Sequence, residues 1–223
     1  MYISRIELNP RSREARRDVA SAYDMHRTII THGFPGSAAS GNRILFRLDT
    51  AREQGRTAMI LLVQSSGAEP DWSLLPAGYS LGIAGPKHFA PAVRTGEQFS
   101  FRLLANPITR SRTGERSEGV RGHARFHRRG LLDEIEQQGW LNRKGEAGGF
   151  RPLFTTITPA PGPRTRPSNV THERKETIPH AGVRYDGVLQ ITDPTAFIET
   201  LRAGIGPAKA FGFGLLSIAR LPG

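Results

Sequence analysis

Hydrophobic and polar positions alternate over residues 2–8, with Ile3, Ile6 and Leu8 as the apolar anchors, as in a half-buried strand. Asn9 and Pro10 break the pattern. A basic helical turn around Arg13, Arg16 and Arg17 follows, then a helix over residues 21–32. Ser21 opens it as N-cap with Asp24 three residues on, and Gly33 closes it. Residues 43–48 and 58–64 read as strands, and the continuously apolar character of the second predicts a central position. Residues 66–96, rich in Gly and Pro, predict little beyond a turn at 70–75. Over residues 97–105, Phe99, Phe101 and Leu103 alternate with Ser100, Arg102 and Leu104 and predict a further strand.

A polar, basic stretch over residues 106–122 marks the expected boundary, after which the plan repeats. A helix is expected over 123–138, strands near 150–156 and 182–191, a helix over 194–203 and a closing strand over 213–219. Residues 159–167, dense in Pro, Gly and Arg, read as a mobile loop. Each half approximates β-α-β-β-α-β, although the first lacks a convincing second helix. The expected fold class is therefore α+β, with two tandem ferredoxin-like (RRM-like) domains at residues 1–108 and 109–223.

Composition then narrows the partner. Of the 223 residues, 37% are hydrophobic, enough for a real core. Against 20 acidic residues stand 31 basic ones, 27 of them Arg, so the net charge of +11 points to a polyanion. Arg grips phosphate bidentately and stacks on bases. The absence of cysteine excludes disulfide scaffolds, thiolate zinc sites and cysteine nucleophiles. The N-terminus reads as a strand rather than a signal peptide, and no apolar run approaches the roughly 18 residues that cross a bilayer. A cytoplasmic protein with no membrane partner is expected.

Tyr23, His26 and Arg27, at i, i+3 and i+4, share one face of the helix over 21–32, with Met25 and Ile29 turned to the core. An imidazole that exchanges protons near neutral pH, a phenol and a permanent cation suit phosphodiester chemistry. RNA brings its own nucleophile in the 2′-OH, so neither a cofactor nor a metal is needed. A single helical histidine is more often structural, and spacing alone does not decide. His123 and His127 have a metal-like i, i+4 spacing, but no third ligand joins them in a zinc pattern. Seven arginines fall within residues 110–129, among them Arg110, Arg112, Arg116, Arg121 and Arg125; Arg174 and Lys175 form a second basic tip. Residues 204–214 hold Gly204, Gly206, Gly212 and Gly214 around Lys209, after a helix and before a strand. That run can cap the helix and also present N–H groups and a cation to a phosphate.

These features resemble the CRISPR repeat-processing endoribonucleases of the CasE type, in the RAMP superfamily. The likeness covers nearly the whole chain. It rests on the N-terminal strand with Asn9-Pro10-Arg11-Ser12-Arg13, the Tyr23-Asp24-Met25-His26-Arg27 helix, Val63-Gln64 with Glu69-Pro70-Asp71-Trp72-Ser73, residues 101–107, and the glycine-rich run. The resemblance implies a metal-independent cut within the CRISPR repeat hairpin, leaving a 5′-OH and a 2′,3′-cyclic phosphate. It further implies retention of the crRNA in a Cascade-type complex with other subunits, and no DNA at the catalytic site. In the family's pattern His26 matches the general acid or base and Tyr23 its partner. Gly206, Lys209, Gly212 and Gly214 match the loop beside the RNA, and Arg174 and Lys175 fall near a basic hairpin. The alternative is a non-catalytic RNA-binding subunit of the same superfamily. A ribosome-associated basic protein fits the apolar content and the glycine run less well.

Overall fold

The computed structural model describes residues 1–36, 41–53, 55–112, 126–160 and 182–221. Strand β1 (Tyr2–Leu8) leads into α1 (Arg13–Ala20) and α2 (Ala22–Gly33), then β2 (Ile44–Glu53) and β3 (Arg56–Ser65). A 3-10 turn at Trp72–Leu74 precedes β4 (Ser80–His88). Sheet order is β2-β3-β1-β4, every pair antiparallel, so the apolar β3 is internal as expected. That is the ferredoxin-like arrangement with the second helix reduced to the 3-10 turn.

The second unit begins at β5 (Gln98–Ala105). A hairpin of β6 (Ile108–Arg112) and β7 (Phe126–Gly130) follows, then α3 (Glu134–Ala147), β8 (Phe150–Ala160), β9 (Gly182–Ile191), α4 (Pro194–Ala203), a 3-10 turn at Lys209–Phe211 and β10 (Leu216–Arg220). Its sheet runs β10-β5-β9-β8, again antiparallel throughout. With the hairpin set aside, it is a complete β-α-β-β-α-β unit, and the α+β, tandem ferredoxin-like class holds.

Three elements differ from the sequence expectation. Residues 80–88 form β4, whose glycines and Pro86 mask it; as an edge strand it tolerates a residue without an N–H. The strand over 97–105, assigned by sequence to the first half, is β5 and pairs with β9 and β10, so the sheets divide at residues 89–97. The helix expected from residue 123 starts at Glu134, behind an Asp133 N-cap whose carboxylate accepts from the N–H groups of Ile135 and Glu136. Residues 126–130 are strand instead, paired so that Arg110 stands opposite Arg128. Of the loop expected at 159–167, Pro159 and Ala160 complete β8 and the rest lies outside the described residues.

Each unit has its own core. Ile6, Met25, Ile29, Leu61, Trp72 and Tyr79 pack in the first; Leu103, Trp140, Leu141, Tyr185, Phe197 and Leu201 pack in the second. Burying a side chain of this size contributes about 1.5–3 kcal/mol. The units also grip one another. Arg47 on β2, buried, donates to the carbonyls of Arg102 (3.2 Å) and Leu215 (3.1 Å) while forking onto Asp49 (2.8 Å). Gln64 on β3 donates to Leu201 O at the end of α4 (2.7 Å), and the Met1 side chain sits in the second core. These contacts bring the glycine-rich run against the first unit.

Candidate active site and nucleic-acid interface

Helix α2 forms because its ends and inner face are specified locally. The Ser21 hydroxyl accepts from Asp24 N, Asp24 sits in the positive first turn, and Met25 and Ile29 are buried. The inner face is clamped to α1. Arg17 donates to Asp18 (2.7 Å) and to Thr28 Oγ1 (3.2 Å), and Asp18 accepts from the Tyr79 hydroxyl (2.8 Å).

What α2 presents outward is the expected trio, in unequal settings. Tyr23 is 61% exposed, with the Arg27 guanidinium 5.8 Å from its ring centroid and paired with Asp24 at 2.7 Å. His26 is half-buried, its ring 6.3 Å from that of Phe46 on β2. Burial pushes the His26 imidazole below its ordinary 6.5, so the neutral ring predominates at pH 7. A neutral imidazole is ready to accept a proton.

The glycine-rich run meets this helix: the turn at Lys209–Phe211 lies against α2 and β2. Gly204 caps α4 with φ of 73°, and a Cβ there would stand 2.8 Å from the Leu45 methyls. Gly212, φ 85°, packs on the Phe46 ring that carries His26. Both positions require glycine for conformation and for space. Some of the run's N–H groups are engaged within the protein. Those of Ile205 and Gly214 bond to Gly214 O and Leu104 O, and that of Gly212 to Lys209 O. Lys209 adds a cation to the run: its ammonium donates to Gly206 O at 2.7 Å and keeps two donors for other partners. Burial, then the neighbouring Arg43 and Lys144, lower the Lys209 pKa from 10.5.

The structure thus sets the helix that carries Tyr23, His26 and Arg27 against the Lys209–Phe211 turn, with Gly212 on Phe46; Gly206 and Gly214 lie elsewhere in the same run. Arg110 and Arg112 lie on β6, where only the backbone is described. Arg116, Arg121, Arg125, Arg174 and Lys175 lie outside the described residues, as does His123. Among the described residues no three His, Asp, Glu or Cys side chains gather as metal ligands. Sequence reasoning did not single out Lys144, which lies over the Trp140 ring (5.9 Å) and faces the same loop as Lys209. Its one sequence signal is scarcity, since it is one of four lysines in an arginine-rich chain.

Known proteins carry the same plan. The family model described as CRISPR associated protein matches residues 1–220. The chain is 37% identical to the CRISPR-associated endoribonuclease Cse3 of Thermus thermophilus, over 98% of this chain and 100% of that one. It is 28% identical to the CRISPR system Cascade subunit CasE of Escherichia coli strain K12, over 99% and 100% of the two chains. The solved structure of CRISPR endoribonuclease Cse3 bound to a 19 nt RNA superimposes with a TM-score of 0.83 and 36% identity, covering 98% of this chain and all of that one.

Proposed function

The chain belongs to the CRISPR-associated protein family, and we propose that it is the endoribonuclease that cuts CRISPR precursor RNA within the repeat hairpin. The observation that carries the chemistry is α2: a half-buried imidazole, neutral near pH 7, one turn from an exposed phenol and beside the Lys209 loop. His26 takes the proton of the 2′-OH. The 2′-oxygen attacks phosphorus, the new O2′–P bond forms and the P–O5′ bond breaks. Tyr23 stands at the reacting phosphate, where its hydroxyl donates to the departing 5′-oxygen. The products are a 2′,3′-cyclic phosphate and a 5′-OH. Arg27, one position from His26 on the same helix, offsets the extra negative charge of the phosphorane. The nucleophile is the substrate's own, so no step requires a metal or cofactor. A binding-only subunit would need neither Tyr23 nor His26.

The arginines at 110, 112, 116, 121 and 125, with Arg174 and Lys175, hold the stem in this scheme. The mature crRNA stays bound after the cut, in a Cascade-type assembly with other subunits in the cytoplasm. Among the described residues no helix is long and apolar enough to cross a membrane.

Labelled repeat hairpin incubated with the protein in EDTA, beside the same RNA with one 2′-deoxy at the cut, tests the reaction. Cleavage of the first alone is expected. A requirement for Mg²⁺, or cutting of the deoxy RNA, would exclude the 2′-OH mechanism.

A further inference from the structure

Beside the glycine-rich loop lies a cleft of about 610 Å³, between the last turns of α3 and α4. Its walls include Ile108, Trp140, Lys144, Thr200, Gly206 and Lys209, and no Asp or Glu is among the described residues that line it. The walls are fixed. Trp140 is buried and stacks on Tyr185 (6.1 Å, 18° between planes), and a Cβ at Gly206 would stand 3.0 Å from the Trp140 ring. Lys144 is exposed above that ring, while Lys209 is tied to Gly206 O. The C-terminal dipoles of α3 and α4 contribute about half a negative charge each, which falls short of two lysines. Arg43 adds a third cation within electrostatic reach of Lys209. The cleft therefore carries a net positive charge.

We propose that this cleft is a subsite for a phosphodiester of the single-stranded RNA flanking the cut, held between Lys144 and Lys209 with Thr200 beside them. It rests on the endoribonuclease reading of α2 and adds a second point of contact to it. Size selects a single strand: the volume suits a ligand of about one nucleotide and not a duplex. Position selects the flank. Gly212 packs on Phe46, the ring beside His26, and Lys209, three residues earlier in the same loop, lines the cleft, so one loop touches both places.

The test measures affinity of the full chain for the repeat hairpin with its single-stranded flanks and for the hairpin trimmed to its stem, from about 50 to 200 mM salt. Lys144→Ala is expected to weaken the flanked RNA about 3- to 10-fold, at least threefold more than the trimmed one, and to reduce the salt slope on flanked RNA by about 0.7. Lys144→Arg, which keeps the charge, recovers most of the loss. Equal losses on both RNAs, or no loss on the flanked one, would overturn the subsite while wild-type cleavage leaves the α2 chemistry standing. A wild-type chain that neither binds nor cuts either RNA overturns both.

Discussion

The two ferredoxin-like units share a sheet order and differ in what occupies their helical layer. The first places α1 and α2 in series between β1 and β2 and has only the turn Trp72–Leu74 where a second helix would stand. Trp72 fills that space, donating to Ser4 Oγ (2.9 Å) and packing on Gly33 so closely that a Cβ there would clash. The second keeps both helices and adds the β6–β7 hairpin and the loop after α4. Titratable chemistry collects on the first unit, at His26 and Tyr23. Lysines and glycines collect on the second, around Lys209 and Lys144. In the proposed reading, a common fold supplies reaction from one copy and grip from the other.

Removing the imidazole breaks that division most severely. His26→Ala should slow single-turnover cleavage by about 10²–10⁴-fold, the usual contribution of a positioned acid or base, and leave RNA affinity within a few-fold. Filter binding beside cleavage at saturating protein separates the two effects. A parallel loss of affinity would move His26 from chemistry to binding.

The junction itself is next. Arg47→Ala removes a buried guanidinium, two carbonyl bonds between the units and the partner of Asp49. Breaking a buried pair costs 3–5 kcal/mol; because Asp49 is partly exposed, about 3 kcal/mol is expected, or roughly 6–12 °C in melting temperature for a chain of this size. Calorimetry should show the drop, and a second transition if the units then melt apart. A shift below about 2 °C would mean that the units hold together without Arg47.

How much of this was legible beforehand differs between the units for physical reasons. The Tyr23 and His26 face was visible because i, i+3 spacing is a local property, and the loop was visible because its glycines are read directly. The strand β4 was not, since Gly82, Gly85 and Pro86 erase a period-two pattern that an edge strand does not need. That one omission made β5 look like the fourth strand of the first unit and carried the expected boundary to residue 108. The start of α3 was misplaced because arginines suit a helix, while pairing with β6 makes residues 126–130 a strand. Gly139 and Gly145 also obscured how far the helix extends; Gly145 is there because a Cβ would meet the Phe150 carbonyl at 2.6 Å. Lys144 and Arg47 matter through partners about 60 to 170 residues away, which no window along the chain contains.

Each unit should carry its own pH limb. Burial lowers the His26 pKa from 6.5, and a general base must be neutral to act. The single-turnover rate should therefore rise along a limb centred below pH 6.5. With most of the imidazole already deprotonated at pH 7, it should change less than about twofold from there to pH 8. Were His26 the acid, the imidazolium would be the active form, and the rate would fall about tenfold per pH unit above that same pKa. Binding should follow the other unit. Lys209, lowered from 10.5 by burial and by Arg43 and Lys144, loses its charge at a lower pH than an ordinary lysine, so RNA affinity should decline on the alkaline side while the chemical rate stays level. Rates at saturating protein report the first limb and equilibrium binding the second. Lys209→Ala should flatten only the second, and an alkaline decline that survives it would assign that limb to another group.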